Sequence, residues 1–195
     1  LTAYGSYNEG MRAPTAIEQR APDQWRIDFG RSYTGWFEAL LTGPPGGTVT
    51  IQVAEREDQL MTYNQRSELV LPPSGTATFT NRFNHASGRW YTLTGCERPQ
   101  LVRGWLVRSP YEPVLEFSCA DEQLAQVQAV AAWTFECLSL GGMVVDCPHR
   151  ERRGYGGDAH ATTRTGLTHF DLVPFYTQWL EDWRDVQLPD GDIPF

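Results

Sequence analysis

The spacing of apolar residues changes once along the chain, near residue 120. Before this point apolar and polar residues alternate, so that Val49, Ile51 and Val53 point to one side of a strand and the residues between them to the other. Further strands are predicted over residues 25–29, 35–41, 76–83, 89–94 and 102–108. Because turn residues separate these short strands, the pattern predicts an antiparallel β-sandwich over residues 25–115.

After residue 120 the apolar residues recur every three or four positions, which is the period of an α-helix. Asp121 is placed to cap the first helix, and Gly141-Gly142 is expected to end it. The apolar positions of this helix are Leu124, Val127, Ala131, Phe135 and Leu138.

Two more helices are predicted, one from about residue 157 to 167 and one that starts at Asp171 and tolerates Pro174 in its first turn. The apolar face of the last helix consists of Leu172, Phe175, Tyr176, Trp179 and Trp183. Three amphipathic helices cannot close a core by themselves, so residues 116–195 are predicted to be the first part of a larger helical array.

The two ends of the chain show no period of either kind. Residues 1–24 mix Gly, Asn, Arg, Pro and Gln and are predicted to be an arm or linker from a preceding domain. The last residues follow directly on the turn residues 188–191, with no closing element. We therefore expect the chain to be a fragment of a longer protein.

Composition narrows the possible partners. The 195 residues carry a formal net charge of −8, with 41% hydrophobic and 21% charged residues, and contain no polybasic run. Nucleic acid and anionic membranes are therefore not expected as main partners, and no apolar run is long enough to span a bilayer. The 12% of aromatic residues suits both core packing and stacking on sugar rings. The sequence does not indicate a cellular compartment.

The four cysteines are not spaced for a zinc site or a CxxC pair. They lie at positions 96, 119, 137 and 147. Buried free thiols are favoured over disulfides.

The most distinctive stretch is residues 146–158, which read D-C-P-H-R-E-R-R-G-Y-G-G-D. Pro148 and three glycines prevent a continuous helix or strand, so the segment is predicted to be a loop. Its carboxylates are Asp146, Glu151 and Asp158, and its arginines are Arg150, Arg152 and Arg153. Such groups suit acid–base chemistry and the binding of hydroxyls, although residue types alone leave a solvated, salt-bridged loop equally open.

Other chemistries are less well supported by the residues. Asp158 and His160 offer two metal ligands, but no second ligand pair completes the site, and neither metal nor cofactor is predicted. Cys147 near His149 suggests a thiol nucleophile, but no third group orients the histidine, and a packed thiol is favoured. Trp179 and Trp183 repeat at helical spacing, which favours core packing over sugar stacking.

The loop closely resembles the signature of the bacterial α-L-rhamnosidases of glycoside hydrolase family 78, D-C-P-x-R-x-E-R-x-G-W-x-G-D. One residue is missing between Arg150 and Glu151 relative to this pattern, and Tyr155 stands where tryptophan is usual. Alignment from the right-hand side places Glu151 on the general acid of the family. Similarity extends over residues 25–195, through stretches at 28–30, 35–36, 89–91, 170–172, 179–180 and 190–191.

The resemblance implies a fold and an activity. Members of the family combine β-sandwich domains with a catalytic (α/α)6 barrel and remove terminal α-L-rhamnose with inversion, by a two-carboxylate mechanism. It implies that Glu151 is the general acid and that the sugar is held by Asp146, Arg150, Tyr155 and Asp158. The base of the family is a glutamate that would lie beyond residue 195, so the chain alone is expected to be inactive without the remainder of the barrel.

A second hypothesis belongs to a different class of protein. The chain would then be a non-catalytic carbohydrate-binding protein in which the β-sandwich binds the sugar. This alternative predicts that residues 25–115 bind sugar by themselves, whereas an enzyme needs the helical part.

Overall fold

The computed structural model describes residues 7–194, and residues 7–11 by their backbone only. Two compact units divide at residues 107 and 108. The strands of the first unit are β1 (Tyr7–Arg12), β2 (Ala16–Ala21), β3 (Gln24–Thr42), β4 (Thr48–Ala54), β5 (Arg66–Val70), β6 (Thr76–Thr80), β7 (Ala86–Thr94) and β8 (Gln100–Arg108). The second unit contains α1 (Glu122–Leu138), β9 (Ser139–Leu140), β10 (Met143–Val144), α2 (Gly156–His169) and α3 (Val173–Asp185). Strands followed by helices is the order that the change of apolar period predicts.

The long strand β3 organises the first unit, because it changes neighbours halfway along. Its first part, residues 24–28, pairs antiparallel with β2 and β7. After a register shift between Asp28 and Tyr33, residues 33–35 still pair with β7, and residues 35–42 pair with β8 and β6. The result is one antiparallel, sandwich-like sheet with the order β1-β8-β3-β7-β4-β5. The two strands expected at 25–29 and 35–41 are therefore parts of a single strand.

An aromatic cluster forms the core of this unit. Phe29 and Phe37 of β3 lie 5.3 and 4.8 Å, between ring centroids, from Tyr91 of β7, and Phe29 lies 5.2 Å from Tyr33. Each such pair contributes about 0.5–1.5 kcal/mol beyond the burial of its area. Gly35 lets β8 approach closely, since a Cβ there would lie 1.7 Å from the carbonyl oxygen of Trp105. The predicted alternation in β4 is confirmed, with Val49, Ile51 and Val53 all buried.

Two strands of this unit carried no recognisable apolar pattern. Residues 16–21, expected to be part of a linker over 1–24, form β2, which pairs with β3. Strand β5 pairs with β4 along one edge and has alternate residues exposed. Both strands are held by backbone hydrogen bonds and bury little side-chain surface, so their sequences need no apolar alternation. The linker expectation is wrong for residues 7–12 and 16–21, which form β1 and β2 of the sheet; residues 1–6 lie outside the described part.

Residues 108–115 belong with the helices, although the β-sandwich was expected to extend to residue 115. The Ser109 N–H donates to the carbonyl of Ser139 at 2.8 Å, and Pro113 forms an isolated antiparallel bridge with Phe170. Besides these backbone contacts, the segment contributes the buried side chain of Tyr111 to the core of the helical unit. The observed division therefore lies earlier than the expected one.

The first helix begins and ends close to the predicted positions but buries less. Asp121 caps α1, accepting hydrogen bonds from the N–H groups of Gln123 and Leu124 at 2.9 and 3.2 Å. Phe135 is buried, whereas Leu124 and Val127 are 56% and 65% exposed, so within this chain the apolar face is covered only over the second half of α1. The helix ends at Leu138, before the two glycines expected to end it.

The third helix buries the face that the sequence predicts. Pro174 lies in its first turn, Phe175 and Trp179 are buried, and Leu172 precedes it at 1% exposure. Tyr176 and Trp183 pack against the same core as partly buried side chains. The core consists of Tyr111, Phe135, Val144, Ala159, Phe170, Leu172, Phe175 and Trp179. Among residues 7–194 there is no helix with the length and apolar character required to cross a membrane.

The four cysteines are free, as favoured from their spacing, but only Cys96 is buried. Cys119 is exposed, and Cys137 and Cys147 are half-buried. Burial raises the pKa of the Cys96 thiol to about 11. Cys96 is therefore a packed thiol that stays protonated at neutral pH.

A bidentate ion pair makes the β unit sensitive to acid. Arg89 donates from Nε and Nη2 to the two carboxylate oxygens of Asp28 at 2.6 and 2.7 Å, and this hydrogen bonding lowers the pKa of Asp28. The stabilisation is present above the unfolded pKa of about 3.9 and is lost as pH falls through the lower folded value. We expect Asp28→Asn to reduce the free energy of unfolding at neutral pH by about 1 kcal/mol, a figure lowered by the partial exposure of Arg89.

Urea unfolding at several pH values measures this effect, and Asp58→Asn is the matched control. Asp58 accepts a similar bidentate pair from Arg56 at 2.9 Å, but both side chains are exposed. Asp28→Asn should flatten the decline of stability at acid pH, and the control should change it much less. Equal effects of the two variants would contradict the assignment.

Candidate active site

The charged loop starts from a buried hairpin. Strands β9 and β10 are joined by Gly141 and Gly142, both with positive φ (61° and 87°), as the tight turn of a hairpin requires. Val144 and Val145 follow and are buried, and the N–H of Val145 donates to the carbonyl of Leu138 at 2.9 Å. The loop therefore begins directly after Val145, a buried residue that is held by a backbone hydrogen bond.

Asp146 closes the loop. Its N–H donates to the carbonyl of Arg153 at 2.9 Å, and its Oδ1 accepts from the N–H of Arg153 at 3.0 Å. Burial raises the pKa of Asp146, but hydrogen bonds from the Cys147 thiol and the Arg153 N–H outweigh this, and the net pKa is lowered. Asp146 is thus held as a carboxylate.

The inner part of the loop turns back on Cys147. The carbonyl of Cys147 accepts from the N–H groups of Arg150 and Arg152 at 3.4 and 3.2 Å, and Arg152 has a positive φ of 60°. Arg152 Nε donates to the carbonyl of Pro148 at 2.9 Å, and burial lowers the pKa of its guanidinium. Arg152 therefore stabilises the turn.

Glu151 lies at the exposed tip of this turn, with both carboxylate oxygens engaged. Oε1 is paired with Nη2 of Arg150, and Oε2 accepts from the hydroxyl of Tyr155 at 3.0 Å. That hydrogen bond raises the pKa of Tyr155, because it stabilises the protonated phenol. Three of the predicted site residues, Arg150, Glu151 and Tyr155, are thus in direct contact.

The other two predicted site residues, Asp146 and Asp158, differ in their position relative to Glu151. One carboxylate oxygen of Asp146, the thiol of Cys147 and one carboxylate oxygen of Glu151 lie within 4.8 Å of one another. Asp158 is outside this cluster, half-buried in the first turn of α2. Its carbonyl accepts from Thr162 Oγ1 at 2.6 Å.

A recess of about 370 Å³ lies beside the loop. It is lined by residues 154–157 together with Trp183, Ile193 and Pro194. Gly154 has no room for a side chain, since a Cβ there would lie 2.7 Å from Sδ of Met143 and 3.0 Å from the ring of Trp179. Glycine at position 154 therefore lets the loop pack directly against Met143 and Trp179.

The comparison with known protein families covers both units. Residues 18–108 match the family model of the bacterial alpha-L-rhamnosidase concanavalin-like domain, and residues 112–195 match that of the bacterial alpha-L-rhamnosidase 6 hairpin glycosidase domain. The chain belongs to the bacterial α-L-rhamnosidases. The resemblance read from the loop motif is thereby confirmed, and so is the order of a β-sandwich before the helices of a six-hairpin domain.

Individual relatives agree with this family. An alpha-L-rhamnosidase of Formosa agariphila is 24% identical over 195 residues, which cover 90% of this chain and 20% of the relative. The structure of the alpha-L-rhamnosidase from Dictyoglumus thermophilum matches 95% of this chain and 22% of its own, with TM-score 0.86 and 26% identity. That of Streptomyces avermitilis alpha-L-rhamnosidase complexed with L-rhamnose has TM-score 0.88 at 22% identity, over 98% of this chain and 20% of its own, and shows the shared fold. The chain spans about a fifth of the length of the relatives it matches.

Two side chains of this rhamnosidase segment were not predicted to lie at the site. Helical spacing predicts Trp183 in the core, yet it is only partly buried there and also lines the recess. The sequence favours a packed thiol at Cys147, yet this thiol contacts both Asp146 and Glu151. Helical spacing does not distinguish a core tryptophan from one at the end of a helix, but the position of Cys147 between two acidic site residues was a usable signal.

Proposed function

We propose that the protein containing this segment is a glycoside hydrolase that releases terminal α-L-rhamnose with inversion, with Glu151 as its general acid. The observation that carries the proposal is the exposed Glu151 carboxyl, held between Arg150 and Tyr155 beside the Asp146 carboxylate. A rhamnoside as substrate follows from the family to which the chain belongs. The base, which an inverting enzyme also needs, is expected outside this chain.

The hydrogen bonds define what must change when substrate binds. Glu151 accepts on both oxygens, and a proton donor must instead direct an O–H to the glycosidic oxygen. The side chain of Arg150 is 51% exposed, so it can exchange Glu151 for the hydroxyls of the sugar. When its guanidinium moves from Glu151 to the sugar hydroxyls, Arg150 binds the substrate and at the same time frees the Glu151 carboxyl.

Asp146 is better suited to hold the sugar than to activate water. Its carboxylate lies within 4.8 Å of that of Glu151, whereas inverting enzymes separate their two carboxyls by about 6.5–9.5 Å to admit a water molecule. Both of its oxygens already accept hydrogen bonds, which hold it ionised. A fixed negative charge here supports an oxocarbenium-like transition state. Tyr155 and Asp158 complete the sugar-binding set, as the resemblance implies.

The test is hydrolysis of an aryl α-L-rhamnoside, with the first-formed anomer of rhamnose observed by NMR. We expect the protein with the complete helical domain to release β-L-rhamnose first, because inversion delivers water to the opposite face. The 195-residue chain alone should show no turnover, and adding the remainder of the domain as a second chain should restore it.

Release of the α-anomer would contradict the mechanism. The closeness of Asp146 to Glu151 would then favour Asp146 as a nucleophile, since retaining pairs lie about 5–5.5 Å apart. Turnover by the 195-residue chain alone would contradict the need for a base outside it. Binding of rhamnose by residues 25–115 alone, without turnover by the longer protein, would favour the carbohydrate-binding alternative.

A further inference from the structure

The thiol of Cys147 lies between the two acidic residues of the loop. Its Sγ is 2.8 Å from Oδ2 of Asp146 and 3.2 Å from the backbone nitrogen of Glu151. A backbone N–H can only donate, so the sulfur accepts from Glu151. An ionised carboxylate can only accept, so the thiol proton points to Asp146. Both hydrogen-bonding functions of the thiol are therefore assigned.

These two contacts connect parts of the loop that differ in burial. Asp146 is anchored by two hydrogen bonds to the backbone of Arg153 and follows the buried residue Val145. Glu151 lies four residues beyond Cys147, at an exposed position of the turn. The sulfur thus links the exposed Glu151 to the anchored Asp146. It does so at the backbone nitrogen of Glu151, which is bonded to the Cα that carries the Glu151 side chain.

We infer that Cys147 is a positioning residue, whose thiol fixes the main chain of Glu151 relative to the Asp146 carboxylate. The inference rests on the proposed function, in which Glu151 is the general acid and Asp146 holds the sugar. A displacement of about 1 Å between a catalytic group and its substrate can lower a rate by about 10²-fold. The thiol acts without touching the substrate, and its proton remains directed to Asp146.

The first test does not depend on any activity. Amide hydrogen exchange of Glu151 is measured by NMR in the 195-residue chain and in its Cys147→Ala and Cys147→Ser variants. We expect Cys147→Ala to accelerate exchange of this amide about 3–10-fold, because a hydrogen bond is lost. Serine keeps a donor and an acceptor and should recover part of the protection. Cys119→Ala is the control, because Cys119 is an exposed thiol outside the loop.

The second test uses the active protein that contains the segment. Cys147→Ala should lower kcat for rhamnosides with poor leaving groups by about 10–100-fold, with a smaller loss for activated aryl rhamnosides, which need less proton donation. Cys147→Ser should restore part of the loss, and Cys119→Ala should leave kcat unchanged. A merely structural cysteine would affect both kinds of substrate alike.

The two tests separate the inference from the proposed function. Unchanged exchange of the Glu151 amide in Cys147→Ala would overturn the positioning role whatever the protein catalyses. Faster exchange together with equal kcat losses on both kinds of substrate would also overturn it, since the bond would then not serve the acid. Faster exchange in a protein without rhamnosidase activity would contradict the proposed function while retaining the link between Cys147 and Glu151.

Discussion

Replacing Glu151 by glutamine is expected to lower hydrolysis of rhamnosides with poor leaving groups by about 10²–10⁴-fold in the protein that contains this chain. Glutamine keeps the shape of the side chain and its contact with the Tyr155 hydroxyl, which is 3.0 Å from Oε2 of Glu151, but it has no acidic proton to give. The loss should shrink as the leaving group becomes more acidic. The alkaline limb of the pH–rate profile, which reports loss of the acidic proton, should disappear. Steady-state kinetics on a series of aryl rhamnosides measure all three effects.

Asp158→Asn is the control for this prediction. Asp158 lies in the first turn of α2, outside the cluster formed by Asp146, Cys147 and Glu151, and is proposed to hold the sugar. Its replacement should weaken substrate binding or transition-state support equally for poor and good leaving groups. If Asp158→Asn spares the activated substrate while Glu151→Gln harms both alike, the roles are reversed and Asp158 is the acid.

Replacing Phe135 by alanine is expected to reduce the free energy of unfolding of the helical unit by about 3–5 kcal/mol. Phe135 is 2% exposed and stacks on Phe170 with 5.5 Å between ring centroids. Gly166 of α2 packs directly on it, since a Cβ there would lie 2.6 Å from its ring. Truncation removes these contacts and leaves a cavity between α1 and α2. Urea unfolding of the chain, followed by far-UV circular dichroism, reports this unit because it contains all the described helices.

Val127→Ala is the matched control, since Val127 lies on the same helix and is 65% exposed. Its replacement should change the free energy of unfolding by no more than about 0.5 kcal/mol. If the two variants have equal effects, Phe135 does not hold α1 against the core. The two units need not unfold together, so the fluorescence of the aromatic residues should be followed in parallel to detect a separate transition.

The residues of the loop show why the family was recognisable from the sequence and the site geometry was not. The motif over residues 146–158 depends on residue types and spacing, which the sequence contains completely. The pairing of Arg150 and Tyr155 on opposite oxygens of Glu151 depends on the turn around Cys147 and on the positive φ of Arg152. The residue type of a non-glycine residue does not indicate that its backbone lies in the left-handed region. The turn at Arg152 was therefore not predictable from the sequence.

Some elements of the fold were likewise predictable from the sequence and others were not. Side-chain patterns predict the order of strands before helices, the alternation of β4, the Asp121 cap and the buried face of α3, because each depends on the period of side chains or on a local hydrogen bond. Strand β2 and the attachment of residues 108–115 to the helical unit depend on backbone pairing between distant segments, to which all residue types except proline contribute the same N–H and C=O groups.

Burial likewise depends on the packing of neighbouring elements wherever one residue type suits two environments. Leu124 and Val127 have the helical spacing of core residues but are exposed, whereas Phe135 on the same helix is buried against Phe170. Trp179 fills the core, and Trp183, one turn later, also lines the recess beside the loop. Apolar period indicates which side of a helix is apolar, but the neighbouring elements decide how far along the helix that side is covered.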